Sequence, residues 1–283
     1  MKKLNKIMML ALFAAVVAAS CDRIEGPYLT VPQHTEYDTT LFDNLPVDPA
    51  TVYRKVLIEE YTGHRCSNCP RGHQELERLH GIFGDTLVAV GVHYTSLANP
   101  KPKNGFPYDF RTEIGNALGA AYNINSIPYA VINRSDANGT EAIVEWEKLI
   151  KEADRKVYAA VQLVNQFSGE LKTTAKITML ADYPEPLQLS LLLVEDNIVQ
   201  PQLNGSDTVQ DYVHNHVLRT GINGIWGDML TDNGILEKGH AYYKAAKVSF
   251  EGTDWNVDNC YVVAVLYDKQ NRKVLQVEKV KVR

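Results

Sequence analysis

The sequence predicts an α/β domain over residues 51–160 followed by an all-β sandwich domain over residues 161–283, and three observations predict it. Before residue 160, apolar β-like runs alternate with segments of helical period, the pattern of a partly parallel sheet covered by helices. After it, apolar runs come at hairpin spacing and long helical patterns stop. In the first region a β-like run also leads through a short polar turn, Thr62-Gly63-His64-Arg65-Cys66-Ser67-Asn68-Cys69-Pro70, into a helical pattern. That junction holds two cysteines three residues apart.

Residues 56–61 form the first predicted strand. After Pro70, Leu76, Leu79 and Phe83 fall at near-helical spacing, and Gly84 supplies a stop. Residues 87–94 are nearly continuously apolar, as in a strand buried on both faces. Residues 95–109, rich in Pro, Lys and Asn, read as a surface loop over one end of the sheet. Residues 111–122 read as a helix with Ile114, Leu118 and Ala121 on one face. Asn125-Ser126-Ile127-Pro128 breaks it, residues 129–133 form the next strand, and residues 136–139 give a turn signal. Residues 144–160 then read as an amphipathic helix carrying Trp146, Leu149, Ile150, Ala153 and Val157. In the second region strands are expected over 161–167, 171–180, 187–195, 244–250, 261–267 and 273–282, with 196–239 irregular and polar.

The first 20 residues read as a lipoprotein signal peptide. Lys2, Lys3 and Lys6 precede an apolar stretch, 7–17, too short to span a bilayer as a helix. Ala18-Ala19-Ser20 then leads to Cys21, which resembles the acylated first residue of mature bacterial lipoproteins. Several acyl chains anchor stably, since each buried methylene adds about 0.8 kcal/mol. An ordinary signal peptide with a chance cysteine is the alternative. Residues 21–50, with Pro27, Pro32 and Pro46, are expected as a lipid-anchored tether. Loss of the signal peptide's three lysines moves the formal charge from −5 to −8. Such an acidic balance argues against nucleic acid as a partner and against attraction to anionic lipid. No phosphate-binding glycine loop or Ser-His-Asp order stands out, and no cofactor is expected.

An exported chain is permitted disulfides. Cys66 and Cys69 sit where unpaired N–H groups and the helix dipole stabilise a thiolate. Cys260 lies in an apolar strand and reads as a buried free thiol. The cysteine pair admits other readings. It fits a fixed structural bridge, and with His64 and His73 it makes a compact four-ligand cluster. Structural zinc takes ligand pairs from separate segments, so no metal is expected. His214 and His216 share a face if their segment is a strand, but no third ligand completes a site, and hydrogen-bonding loop residues are expected there.

Residues 56–70 resemble the strand and active-site turn of thioredoxin-type domains, with Cys66-Ser67-Asn68-Cys69 as the redox pair. Ile127-Pro128 resembles that fold's X-Pro loop, whose proline is cis and lies against the cysteines. Glu60, six residues before Cys66, falls where such proteins place a buried acid able to shuttle a proton. The resemblance implies that Cys66 attacks, supported by Arg65 and His64, that Cys69 resolves, and that Glu60 and Pro128 assist. Protein thiols or disulfides would be the partners.

The whole chain resembles the outer-membrane-protein-twenty-eight-related lipoproteins of Bacteroides-type bacteria. The residues that carry this are Ala18 to Cys21, Glu59 to Pro70, Ile127-Pro128 with Asn133-Arg134, and Tyr212-Val213-His214-Asn215-His216-Val217-Leu218-Arg219. This implies a thioredoxin-like domain, then an immunoglobulin-like β-sandwich, held at the outer membrane by lipid. Two functions follow as expectations: thiol–disulfide exchange, or surface binding and adhesion in which the first domain is only a scaffold.

Overall fold

The computed structural model describes residues 36–135, 139–231 and 235–283. The signal peptide, Cys21 and most of the expected tether lie outside the described residues, as do three of the four residues of the turn expected at 136–139. The protein is mixed α/β. The first region supplies β1 (Val56–Thr62), α1 (Cys69–Phe83), β2 (Leu87–His93), α2 (Glu113–Ala121), β3 (Tyr129–Ile132), β4 (Gly139–Thr140) and α3 (Trp146–Glu152). The rest supplies β5 (Ala159–Phe167), β6 (Glu170–Met179), β7 (Leu187–Glu195), β8 (Ile198–Val199), β9 (Gln202–Asn204), β10 (Asp207–Val209), β11 (Val213–His214), β12 (Val217–Gly221), β13 (Asp228–Met229), β14 (Ala241–Ser249), β15 (Cys260–Asp268) and β16 (Val274–Lys281).

One mixed sheet of nine strands organises the described residues, in the order β16-β15-β7-β12-β2-β1-β3-β4 with β13 on β7. β1 and β2 are parallel, from Val56 opposite Leu87 to Thr62 opposite His93, whereas β3 and β4 are antiparallel additions. β12 joins the halves: Val217 is paired with Gly91 of β2, and β12 runs antiparallel to β7. The boundary expected at residue 160 therefore falls inside β5, and both regions share one sheet.

Period-two alternation decides what each face buries. Leu189, Leu191 and Leu193 of β7, with Val262, Ala264 and Leu266 of β15, pack against the three-stranded sheet β14-β6-β5. Leu192, Val194, Val263 and Val265 point the other way, into a core shared with Val88, Val90, Val92, Ile114 and Leu118. Helix α2 covers that face. α1 and α3 cover β1, β2 and β3 through Leu76, Leu79, Trp146 and Ile150.

Local chemistry sets the helix ends. α1 begins Cys69-Pro70, where proline's missing N–H costs nothing. It stops at Gly84, whose φ of 52° suits glycine and whose N–H bonds the His80 carbonyl. Thr112 caps α2 by accepting the Gly115 N–H at 2.9 Å.

Several expectations are corrected. The helix expected over 144–160 ends at Glu152, because Ala153 turns extended and Ala159 pairs with Met179 in the sheet. Residues 36–50, expected as tether, include a 3-10 turn, Thr39–Phe42, that docks on the three-stranded sheet: Tyr37 stacks on Tyr243, and Phe42 is buried edge-on to the same ring. Residues 196–239, expected as irregular, contain six short strands, one of them central to the sheet.

Candidate functional site

Cys66 and Cys69 form a disulfide with their Cα atoms 5.4 Å apart. Cys69 is the first residue of α1, so the bridge caps the helix's positive end. The Ile127-Pro128 bond is cis, and the Ile127 carbonyl oxygen lies 3.6 Å from Cys66 Sγ.

Strand alternation separates the two glutamates that stand side by side in the sequence. Glu59 turns to one face and pairs with Arg134, whose Nε donates to Oε1 at 3.0 Å. Glu60 turns to the other, beneath α1, and is buried. Gly72 is required there, since a Cβ would stand 2.6 Å from Glu60 Oε1, 3.1 Å from Trp146 and 3.2 Å from Pro128 Cβ. Glu60, Pro128 and the first turns of α1 thus converge on one point. Burial pushes the Glu60 carboxyl well above the usual range, which favours its protonated form.

A cavity of about 300 Å³ opens beside this acid. Its wall includes Glu60, Thr62, His73, His93, Tyr212 and His214. His73, on α1, meets Thr62 Oγ1 at 2.9 Å through Nε2 and the Tyr212 hydroxyl at 2.7 Å through Nδ1. Burial depresses His73 to about 4 and His214 to about 3, and drives His93 well below its ordinary value. All three rings are neutral at pH 7.

Two further segments close over the bridge. The 95–109 loop approaches so tightly that a Cβ on Gly63 would meet the Leu97 carbonyl carbon at 2.9 Å. The β9–β10 hairpin lies on the cysteine turn: the Leu203 N–H donates to the His64 carbonyl at 2.8 Å, and the Gly205 N–H to the Ser67 carbonyl at 3.0 Å. The Gln202 side-chain amide donates to the Cys66 carbonyl at 3.0 Å. Cys66 is consequently only 3% exposed and Cys69 fully buried. Cys66, expected as the attacking cysteine on a polar turn, is roofed. Leu203→Pro removes one of these donors, and we expect a small phosphine to open the bridge about fivefold faster, the effect of losing roughly 1 kcal/mol of hydrogen bonding. An unchanged rate would mean the hairpin does not gate the site.

The charged support expected for Cys66 is also corrected. The Arg65 guanidinium is spent on the Ser96 and Asn99 carbonyls, at 2.9 and 3.2 Å. His64 is packed against Phe106 and Phe110 and held neutral, its pKa near 4, mainly by burial. The structure sets the cis Ile127-Pro128 bond against Cys66, and Glu60 and Pro128 against Gly72 of the helix that Cys69 begins. It adds Gln202, Tyr212 and His214, distant in sequence, and gives His73, weighed only as a metal ligand, hydrogen-bonding partners instead. Cys260 is buried and free, away from this site in β15.

The family model described as outer membrane protein Omp28 matches residues 115–283. No curated protein matches this chain. Among solved structures, HBP35 of Porphyromonas gingivalis superposes with a TM-score of 0.65 at 17% identity, covering 82% of this chain and 76% of its own, a likeness of fold. A domain of the outer membrane lipoprotein Omp28 from Porphyromonas gingivalis is 24% identical, covering 45% of this chain and 89% of its own, with a TM-score of 0.32. Among the described residues no helix is long and apolar enough to cross a membrane. A family model spanning more than half of the sequence assigns the chain: it belongs to the Omp28 family of outer-membrane lipoproteins.

Proposed function

We propose that this lipoprotein exchanges disulfides with protein thiols through Cys66 and Cys69, held at the outer membrane by acyl chains on Cys21. One observation carries the reading: a disulfide at the first turn of a helix, with the Ile127-Pro128 bond against Cys66 and the buried acid Glu60 under the same helix at Gly72. The family match begins at residue 115, beyond the cysteines, so the chemistry rests on this geometry and not on membership. We read residues 51–160 as thioredoxin-like, supported by the parallel β1–α1–β2 unit and the antiparallel β3. The later residues read as a β-sandwich, supported by the three-stranded sheet packed on β7 and β15.

In the oxidising direction, a partner thiolate attacks Cys66 Sγ. The Cys66–Cys69 bond breaks, its electron pair leaves on Cys69 Sγ, and that sulfur takes a proton from Glu60. A second partner thiolate then displaces Cys66, and the partner leaves as a disulfide. The reducing direction reverses each step, with Cys69 resolving the mixed disulfide after Glu60, as carboxylate, takes its proton. Cys66→Ser should abolish exchange while the fold survives, and equal activity in both proteins would overturn the reading. In glutathione buffers a working site has a potential of roughly −120 to −270 mV, whereas a value below about −300 mV marks a structural bridge.

A second reading, a binding or adhesion lipoprotein using the cysteine domain as scaffold, is favoured by the roof over Cys66, which is only 3% exposed. It predicts a bridge resistant to mild reductant.

A further inference from the structure

The cavity beside Glu60 holds a chain of hydrogen-bonding groups that the disulfide chemistry has not used. Glu60 Oε1 is fully buried and has no hydrogen-bond partner. His73 Nε2 lies 3.6 Å from it. Both ring nitrogens of His73 meet hydroxyls, Nδ1 that of Tyr212 and Nε2 that of Thr62, and each hydroxyl can donate or accept. The relay uses the tautomer in which Tyr212 donates to Nδ1 and the proton sits on Nε2, facing Thr62 Oγ1 and Glu60. Tyr212 is half-buried at the cavity wall, so the chain runs from the opening inward: hydroxyl, imidazole, carboxyl.

We propose that Tyr212 and His73 form the path by which protons reach and leave Glu60, and that this is what the Tyr212 to His216 segment contributes to the cysteine site. The proposal rests on the exchange reading above. When the bridge opens, Cys69 Sγ takes the Glu60 proton and leaves a carboxylate. His73 then passes its Nε2 proton to Glu60 as Nδ1 receives the Tyr212 proton, and Tyr212 recovers one from water. Closing the gap from 3.6 Å to hydrogen-bond length takes one small side-chain adjustment. Net, one proton moves from solvent to Cys69 and no group in the chain is left charged. Neutrality suits the surroundings. From α1 the chain faces Glu77 and His80, from β2 His93, and from the last segment His214 and His216, the latter paired with Asp196. Burial keeps His73 neutral above about pH 4 and raises Tyr212 to about 12, so neither stores charge at neutral pH.

His73→Gln and Tyr212→Phe test this in the full chain; the second removes only a hydroxyl. Dithiothreitol opening of the bridge is followed as a rate per reductant thiolate across pH 5–9, in water and in deuterium oxide, alongside the equilibrium constant with glutathione. Both variants should open roughly tenfold or more slowly, within the usual range for general acid–base groups. Their solvent isotope effect should change while the equilibrium constant stays at the wild-type value. A merely structural role would move the equilibrium constant or the melting temperature instead. Equal rates, pH profiles and isotope effects in wild type and both variants would overturn the relay alone. A wild-type bridge that dithiothreitol leaves closed would overturn the relay and the exchange reading together.

Discussion

Arg134→Met should destabilise the protein by about 3–5 kcal/mol, the loss expected when one partner of a buried ion pair is removed. The side chains of Arg134 and Glu59 are both at 0% exposure, with the guanidinium 3.0 Å from the carboxylate and 5.0 Å from the centre of the Tyr267 ring. Burial by itself would weaken the guanidinium's hold on its proton; the facing Glu59 carboxylate, together with Tyr122 and Tyr267 nearby, outweighs this and holds it above its ordinary value. Methionine keeps a long unbranched chain in the hole but leaves Glu59 without a counter-charge. At roughly 2–4 °C per kcal/mol for a protein of this size, the melting temperature should fall by about 10 °C. The double variant Glu59→Met, Arg134→Met should recover most of the loss, because the penalty lies in the uncompensated charge. Urea unfolding of the three proteins measures it. A single-variant loss below about 1 kcal/mol would show that the pair is not what holds β1 to the Asn133-Arg134 turn.

Mild acid should weaken the fold, through histidines. Burial holds His64, His73 and His80 near 4 and His214 near 3, and lowers His93 well below its ordinary 6.5. In the unfolded chain each titrates near 6.5. Below that pH the unfolded chain binds protons that the folded one refuses, so the stability contribution is complete above 6.5 and is lost as pH falls toward 4. Counting only the most enclosed rings, His64, His93 and His214, at about 1 kcal/mol each over the first pH unit, the loss is on the order of 3 kcal/mol at pH 5.5. Glu60 works in the opposite sense. Its raised pKa gives stability that is complete below about 4.5 and lost as pH rises, so acidification returns one group's share. Denaturant midpoints at pH 7.0 and 5.5 decide the matter; equal midpoints would mean that the rings are not held neutral.

Much of the site was legible in the sequence because its signals are local. The apolar run of β1, the Cys66/Cys69 spacing, the Pro70 start of α1 and Ile127-Pro128 each lie within a few residues of what they determine. β7, β15 and β16 were legible for the same reason, as long apolar or alternating runs. β12 was not. It has five residues, and Arg219 and Thr220 interrupt its apolar pattern; Glu195 and Asp254 take up the Arg219 charge, at 3.4 and 2.6 Å. α3 read too long, because Ala153 and Val157 continue the helical period while backbone pairing at Ala159 claims the chain for the sheet. The roof and the Tyr212–His73 contact join residues 136 and 139 apart, from Cys66 to Gln202 and from His73 to Tyr212. Periodicity reports which face a residue turns inward; it carries no record of what arrives there from so far along the chain.

The position of β12 also sets the order in which the protein can mature. A chain exported from its N-terminus delivers β1 and β2 first, and Cys66 and Cys69 can find each other within a single turn of chain. The outer side of β2 must then wait for Val217, whose strand emerges only after both strands of the β5–β6 hairpin and the whole of β7. Until then Leu87–His93, a run buried along its entire length in the finished fold, presents open backbone and apolar side chains to whatever else is crossing. The vulnerable interval for this lipoprotein lies between those two deliveries, and a periplasmic chaperone that shields a single β edge would be most useful there.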